Sequence, residues 1–179
     1  FFAVVDVTAP HISARLCAAL WFRLPVPASP GHRHQLEPPG GSPFELRGNG
    51  LTIRGRVYGD SGPTAYLVHG WGGHWQQLAA HIEPLREVGY RVVVYDAPSH
   101  GDSAAGAHGP RSSRVMEMAL AHAMVVERYG AASLTVAHSL GTMAVLWAMH
   151  QHSTGSRSLV AVAPATDMDE LVDAFRRMT

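Results

Sequence analysis

The sequence predicts a mainly parallel α/β sheet with helices on both faces, and three observations predict it. From residue 64 onward, short β-branched or apolar runs alternate with segments of helical periodicity, the alternation that builds parallel sheets through crossover helices. Two strand-like runs, 44–47 and 51–58, flank Gly48-Asn49-Gly50, a composition that tolerates positive φ and makes them an antiparallel hairpin ahead of the parallel part. At 133–150 a run ending at Ala137 breaks at His138-Ser139-Leu140-Gly141 and resumes as an apolar segment too long for a strand. That reads as a strand, a sharp turn and a buried helix, with Ser139 at the apex.

Taken in order, Pro10 suits a helix start, and Ile12, Leu16, Ala19 and Leu20 recur beside Trp21 at helical spacing until Pro25 and Pro27 end the pattern. Residues 25–43 carry many prolines and glycines and read as an extended connector without regular structure. A second turn, Gly59-Asp60-Ser61-Gly62-Pro63, precedes an apolar strand at 64–68. Residues 75–88 place Leu78, Ile82 and Leu85 on one helical face with Gly89 as the cap, although Pro84 sits awkwardly inside that helix. Residues 91–95 form a strand buried on both faces. Ser113 is expected to cap a helix carrying Met116, Ala119, Leu120 and Ala123 on one face. Residues 159–163 read as a further buried strand, and Thr166 as the cap of a helix bearing Met168, Leu171, Val172 and Phe175. The expected organisation is an N-terminal helix and connector at 1–43, a core at 44–166, and the start of a lid or following helix at 167–179.

Composition narrows the function classes. The 179 residues are 46% hydrophobic and 16% charged, ordinary for a globular domain with a substantial core. Fourteen Lys and Arg balance fourteen Asp and Glu, so there is no electrostatic case for nucleic acid or an anionic membrane surface. The apolar run 16–22 is far too short to cross a bilayer. Cys17 is the lone cysteine, which excludes an internal disulfide and a multi-cysteine metal site; it reads as a small core residue, and a cytoplasmic location is the expectation. The chain opens on Phe1 rather than Met, so the lack of a signal peptide decides nothing. His32 and His34 lack a third ligand and read as solvated loop residues, and no metal site is expected. His74, His81, His108, His122, His150 and His152 show no ligand or triad spacing and read as surface residues.

A serine held between a strand and a helix adopts a strained backbone that tolerates only small neighbours two residues away, and here these are Ala137 and Gly141. Ser139 would lift its hydroxyl off the sheet as a nucleophile. The N–H of Leu140, at the helix N-terminus, would point toward the same spot and form half of an oxyanion hole.

Three motifs in this order, His69-Gly70-Trp71-Gly72-Gly73, the loop 96–103 and the turn 137–141, each end a predicted strand. On them the chain resembles the N-terminal two-thirds of an α/β-hydrolase fold protein of the esterase, lipase and serine aminopeptidase-like group. The loop 96–103 is similar to the family's Asp-x-x-Gly-His-Gly-x-Ser, with Ser99 replacing a glycine, and 137–141 to Gly-x-Ser-x-Gly, with Ala137 replacing the first. The resemblance implies an incomplete α/β-hydrolase sheet, Ser139 as catalytic nucleophile, and the N–H of Trp71 as the second oxyanion donor. Gly70, Gly72 and Gly73 let the backbone approach the reacting carbonyl, and His69 takes a structural role. The Trp71 indole lines the pocket or packs in the core, both readings standing.

The same resemblance places the triad acid and histidine beyond Thr179, so the chain by itself is expected to be inactive. His138 diverges from Ser139 and is not the expected base. His100 is expected to stabilise its loop, with direct catalysis the lesser reading, and Asp167 to cap a helix. The implied function is cofactor-independent hydrolysis of a small-molecule carboxylic ester, or less readily an amide or peptide. Relatives acting as dehalogenases or epoxide hydrolases use an aspartate where Ser139 stands. The alternative is a hydrolase-fold module that binds a small molecule without turnover.

Overall fold

A computed structural model describes residues 9–26 and 29–165. Its elements are α1 (Pro10–Trp21), α2 (Pro30–Gln35), β1 (Ser42–Gly48), β2 (Leu51–Tyr58), β3 (Thr64–Val68), a 3-10 helix (Trp75–His81) running into α3 (Ile82–Glu87), β4 (Arg91–Tyr95), α4 (Val115–Tyr129), β5 (Ala132–His138), α5 (Leu140–His152) and β6 (Leu159–Val162). They form one six-stranded sheet in the order β1-β2-β4-β3-β5-β6. The pairs β1–β2 and β2–β4 are antiparallel, and β4–β3, β3–β5 and β5–β6 are parallel. The predicted architecture, a mainly parallel sheet led by an antiparallel hairpin, is the one observed.

The hairpin turns on Asn49 (φ 50) and Gly50 (φ 75), the paired left-handed residues that a two-residue hairpin loop requires. Both sheet faces are covered. Ile53, Tyr66, Val93 and Tyr95 pack beneath α4 and α5 against Ala121, Val125 and Val145. Tyr58, Leu67, Val92 and Val94 pack on the other face against Trp75, Leu78 and Ile82. The chain passes from β3 outward to β4 on one side and then crosses to β5 on the other. The crevice outside the carboxyl ends at such a reversal is where open α/β sheets place their sites.

Several elements depart from the sequence reading. Residues 75–88 are not one α-helix: the first seven form a 3-10 helix, and α3 begins at Ile82, so Pro84 falls in a first turn where its missing N–H has no intrahelical acceptor to lose. The connector contains α2, capped by the Ser29 hydroxyl accepting from His32 N–H at 3.3 Å. Ser113 does not cap α4. Arg114 takes the N-cap position, its guanidinium lies over the Phe22 ring, and Ser113 is fully buried one residue earlier. The buried face of α4 runs through Met118, Ala119, Ala121, His122 and Val125, while Met116 is exposed.

β6 is not a buried strand, for it forms one edge of the described sheet with Val160 and Val162 exposed. Cys17 is only half-buried on α1, where Ile12, Leu16 and Leu20 are exposed. The expected helix 167–179, its cap Thr166 and Asp167 lie outside the described residues.

Candidate active site

Three loops leave the carboxyl ends of the adjacent strands β4, β3 and β5, which brings 96–103, 69–74 and the turn at Ser139 together. Ser139 has φ 51 and ψ −127, a backbone conformation that costs a non-glycine residue about 1–3 kcal/mol and persists only where its surroundings impose it. Those surroundings are visible. Ser139 N–H donates to Val162 O at 3.0 Å, its carbonyl accepts from Thr142 N–H at 3.0 Å and Ala165 N–H at 3.3 Å, and the Thr142 hydroxyl donates to Ala137 O at 3.1 Å. Among the described residues the Ser139 side chain makes no hydrogen bond.

The small residues are required by close approach between loops. A Cβ on Gly141 would overlap the His69 carbonyl oxygen and stand 3.0 Å from Val68 O, and one on Gly70 would come 2.9 Å from Ser139 Cβ and 3.1 Å from His138 O. The glycine-rich loop therefore lies directly against the serine turn. Ala137 is fully buried in the layer between β5 and the helices.

The fate of each loop amide bears on an oxyanion hole. Gly73 N–H donates to Gly70 O at 3.1 Å and Gly72 N–H to His100 Nε2 at 3.1 Å. The N–H groups of Trp71, next to the Gly70 that abuts Ser139, and of Leu140, first residue of α5, have no acceptor among the described residues. Gly72 has φ 67 and backs onto Pro25. The half-buried Trp71 side chain meets the cluster of Ala97, Met118, Ala119, Ala144 and Ala148, and its ring stands edge-on to His100 at 5.8 Å.

Two buried histidines, His69 and His100, bond the loops to one another. His69 donates from Nδ1 to Gly70 O at 2.7 Å and accepts at Nε2 from Ala97 N–H at 3.0 Å, tying the glycine-rich loop to the loop after β4. His100 donates from Nδ1 to Pro98 O at 2.8 Å while its Nε2 holds Gly72 N–H. Each ring has both nitrogens committed in a single neutral tautomer. Burial lowers His69 to about 4, and burial, then the neighbouring His69 ring, lowers His100 to about 3.

Asp96 anchors both loops. Fully buried, its carboxylate accepts from Trp75 N–H at 2.9 Å and Asp102 N–H at 2.8 Å, and a side chain on Gly101 (φ 48) would collide with it. Burial raises its pKa to about 6 against the lowering effect of those two N–H donors. Ser99, in the family's glycine position, keeps a positive φ of 65 and offsets it with its hydroxyl, which donates to Gly109 O at 2.7 Å and accepts from Gly106 N–H at 3.0 Å.

Sequence reasoning missed three buried polar residues here. Arg33 projects from the connector onto Asp96 and Asp102. His122, read as a surface residue, is buried and bonded through Nδ1 to Tyr95 OH at 2.9 Å, with burial lowering its pKa to about 4. His74, also read as surface, is buried beside Gln76. Among the described residues no three His, Cys, Asp or Glu side chains converge as a metal site, and no helix is long and apolar enough to cross a membrane.

Comparison with known proteins places this arrangement. The family described as serine aminopeptidase, S33, matches residues 62–179. A 2-hydroxy-6-oxononadienedioate/2-hydroxy-6-oxononatrienedioate hydrolase of Escherichia coli (strain K12) is 24% identical over 149 residues, which cover 75% of this chain and 52% of that protein. Similar solved structures include an epoxide hydrolase from Vigna radiata (TM-score 0.60, 21% identity, 77% of this chain and 46% of that one). An N-acyl homoserine lactonase complexed with N-hexanoyl homoserine (0.61, 21%, 70% and 46%) and a proline iminopeptidase-related protein from Thermus thermophilus (0.58, 21%, 70% and 45%) share the same fold. The chain spans about half the length of the relatives it matches.

Proposed function

The chain belongs to the serine aminopeptidase S33 family of α/β-hydrolase fold proteins, and on that premise we propose that the protein is a cofactor-independent serine hydrolase acting at a carbonyl carbon, a carboxylic ester first and an amide or peptide bond second. One observation carries the reading. Ser139 is held at φ 51 and ψ −127 at the head of α5 with a side chain that bonds to nothing described, so the hydroxyl takes no part in holding the strained turn and is left to be presented. An aspartate would stand here in an epoxide hydrolase, so the likeness to such enzymes extends to their fold alone.

The chemistry follows from the neighbours. Ser139 Oγ attacks the carbonyl carbon, and the carbonyl oxygen, becoming an oxyanion, takes up the N–H groups of Trp71 and Leu140, a pair worth roughly 10²–10³-fold in rate per donor. Collapse expels the alcohol or amine and leaves an acyl group on Oγ, which water then releases. The Oγ proton needs a base, and neither His69 nor His100 can take it without breaking the loop bonds described above. His138 adjoins Ser139 on the turn, where adjacent side chains diverge, and is not taken as the base. The base and the acid that orients it are therefore assigned to residues outside 9–165. Without them, oxyanion donors and binding leave a residual acceleration on the order of 10³–10⁴ over water.

A fluorophosphonate probe tests the assignment in the full-length protein. Covalent labelling at Ser139 that disappears in Ser139→Ala supports the hydrolase. An unlabelled but folded protein favours a small-molecule-binding module without turnover.

A further inference from the structure

The portion matched by the family begins at residue 62, yet the most deeply buried cation at the site comes from earlier in the chain. Arg33, on α2, is 3% exposed; one terminal nitrogen donates to Asp102 Oδ1 at 2.8 Å and the other lies 4.0 Å from Asp96 Oδ2. The segment that carries it is pinned separately to β2. Arg56 pairs with Glu37 and donates to Gly41 O at 3.1 Å, Tyr58 OH donates to Pro38 O at 3.3 Å, and Gly41 backs directly onto the Tyr58 ring, leaving no room for a Cβ.

We propose that residues 29–41 are a clamp whose Arg33 is a positioning residue: it pairs with the partly exposed Asp102 and faces the buried Asp96 from outside the family-matched region, and so holds the two loops that carry Trp71 and His100 in register with Ser139. The loop-locking part stands on geometry alone, and its consequence for the oxyanion donors rests on the serine hydrolase reading.

Charge accounting around Asp96 leaves Arg33 no substitute. His69 Nε2 is 3.9 Å from Asp96 Oδ1, but that nitrogen accepts from Ala97 N–H and the ring is neutral. Arg54 and Arg56 line a small cavity of about 130 Å³ with Asp96, Asp102 and Glu37. Arg54 is committed to the Glu45 carboxylate and to Asp102 O, and Arg56 to Glu37 and Gly41 O. With Arg33 removed, the buried Asp96 would face the partly exposed Asp102 carboxylate with no cation beside it, and Asp96 would hold its proton to higher pH. A protonated Asp96 is a weaker acceptor for Trp75 N–H, the bond that joins the end of the glycine-rich loop to the loop after β4, and for Asp102 N–H, the bond that closes the latter loop on itself.

The test is a carbon-13 carboxyl titration of Asp96 in the full-length protein, its Arg33→Met and Arg33→Lys variants, with hydrogen-exchange protection of the Trp75 and Asp102 amides and the labelling rate at Ser139 followed alongside. The expected result is an Asp96 midpoint shifted to higher pH in Arg33→Met, the direction that removal of an opposite charge implies, and largely restored in Arg33→Lys, with amide protection lost at correspondingly higher pH. A folded Arg33→Met protein with an unmoved Asp96 midpoint overturns the proposal. Should Arg33→Met not fold, the double variant Arg33→Met, Asp102→Asn restores charge balance and is expected to fold; its failure also overturns the proposal. Absence of labelling in the unmodified protein would refute the hydrolase reading alone, because the titration needs no reactive serine.

Discussion

Gly141→Ala perturbs the closest approach in the site with a single methyl group. The new Cβ would overlap the His69 carbonyl oxygen and stand 3.0 Å from Val68 O, both backbone atoms at the end of the fully buried β3. Neither can swing aside as a flexible side chain would, so α5 must shift away from β3 by a few tenths of an ångström to about 1 Å. Overpacking of this kind costs about 1–3 kcal/mol. Replacing glycine in a helix returns at most about 1 kcal/mol, and less in a first turn, so a net loss of about 1–2 kcal/mol is expected.

For a chain of this size that lowers the melting temperature by about 2–8 °C. Gly31→Ala is the internal control, since a Cβ at Gly31 meets nothing within 4 Å and the residue lies in α2. It should be neutral or stabilising by up to about 1 kcal/mol. Functionally, displacing Ser139 from the loop it abuts by around 1 Å should slow fluorophosphonate labelling roughly 10²-fold. Denaturant unfolding of both variants and a labelling time course are the assays. A Gly141→Ala protein as stable as Gly31→Ala and labelled at the parent rate would refute the claim that this contact registers the nucleophile.

The buried histidines predict an acid-labile fold. Folded His69 and His122 have pKa values near 4 and His100 near 3, below the unfolded value of about 6.5. The unfolded chain therefore binds more protons between about pH 6.5 and 4, and stability falls as pH drops through that window, by up to about 1.4 kcal/mol per unit for each histidine. Asp96, raised to about 6 from 3.8, opposes with one group's slope, since the folded state binds its proton first. Urea midpoints at pH 7, 6 and 5 should fall in that order, and His122→Phe should flatten the decline; equal midpoints would contradict the assignment. His100→Ala strips Gly72 N–H of its acceptor, which should cost about 1–3 kcal/mol and slow labelling without moving the pH midpoint of the labelling rate. A midpoint shift would reinstate His100 as a proton acceptor.

The parts of the fold legible in the sequence are those set by neighbours in the chain. β3 and β4 are short apolar runs closed by glycine or proline, and the turn at Ser139 is announced by the switch from strand to helix around small residues. What stayed hidden depends on distant partners. Arg33 finds its carboxylate 69 residues away and His122 its tyrosine 27 away, so no local spacing distinguishes them from solvated side chains. The connector's prolines and glycines masked a short helix because Pro30 at a helix start and Pro38 in a loop look alike. Pro84 was visible as a conflict but not its resolution, a 3-10 segment that postpones the α-helix until proline is harmless.

A crystal structure of the full-length protein after phosphonylation tests the central claim most directly. The predicted result is phosphorus bonded to Ser139 Oγ and one phosphonyl oxygen about 2.7–3.1 Å from both the Trp71 and the Leu140 nitrogen. An adduct on another residue, or a phosphonyl oxygen turned to solvent with those two amides facing elsewhere, would contradict it.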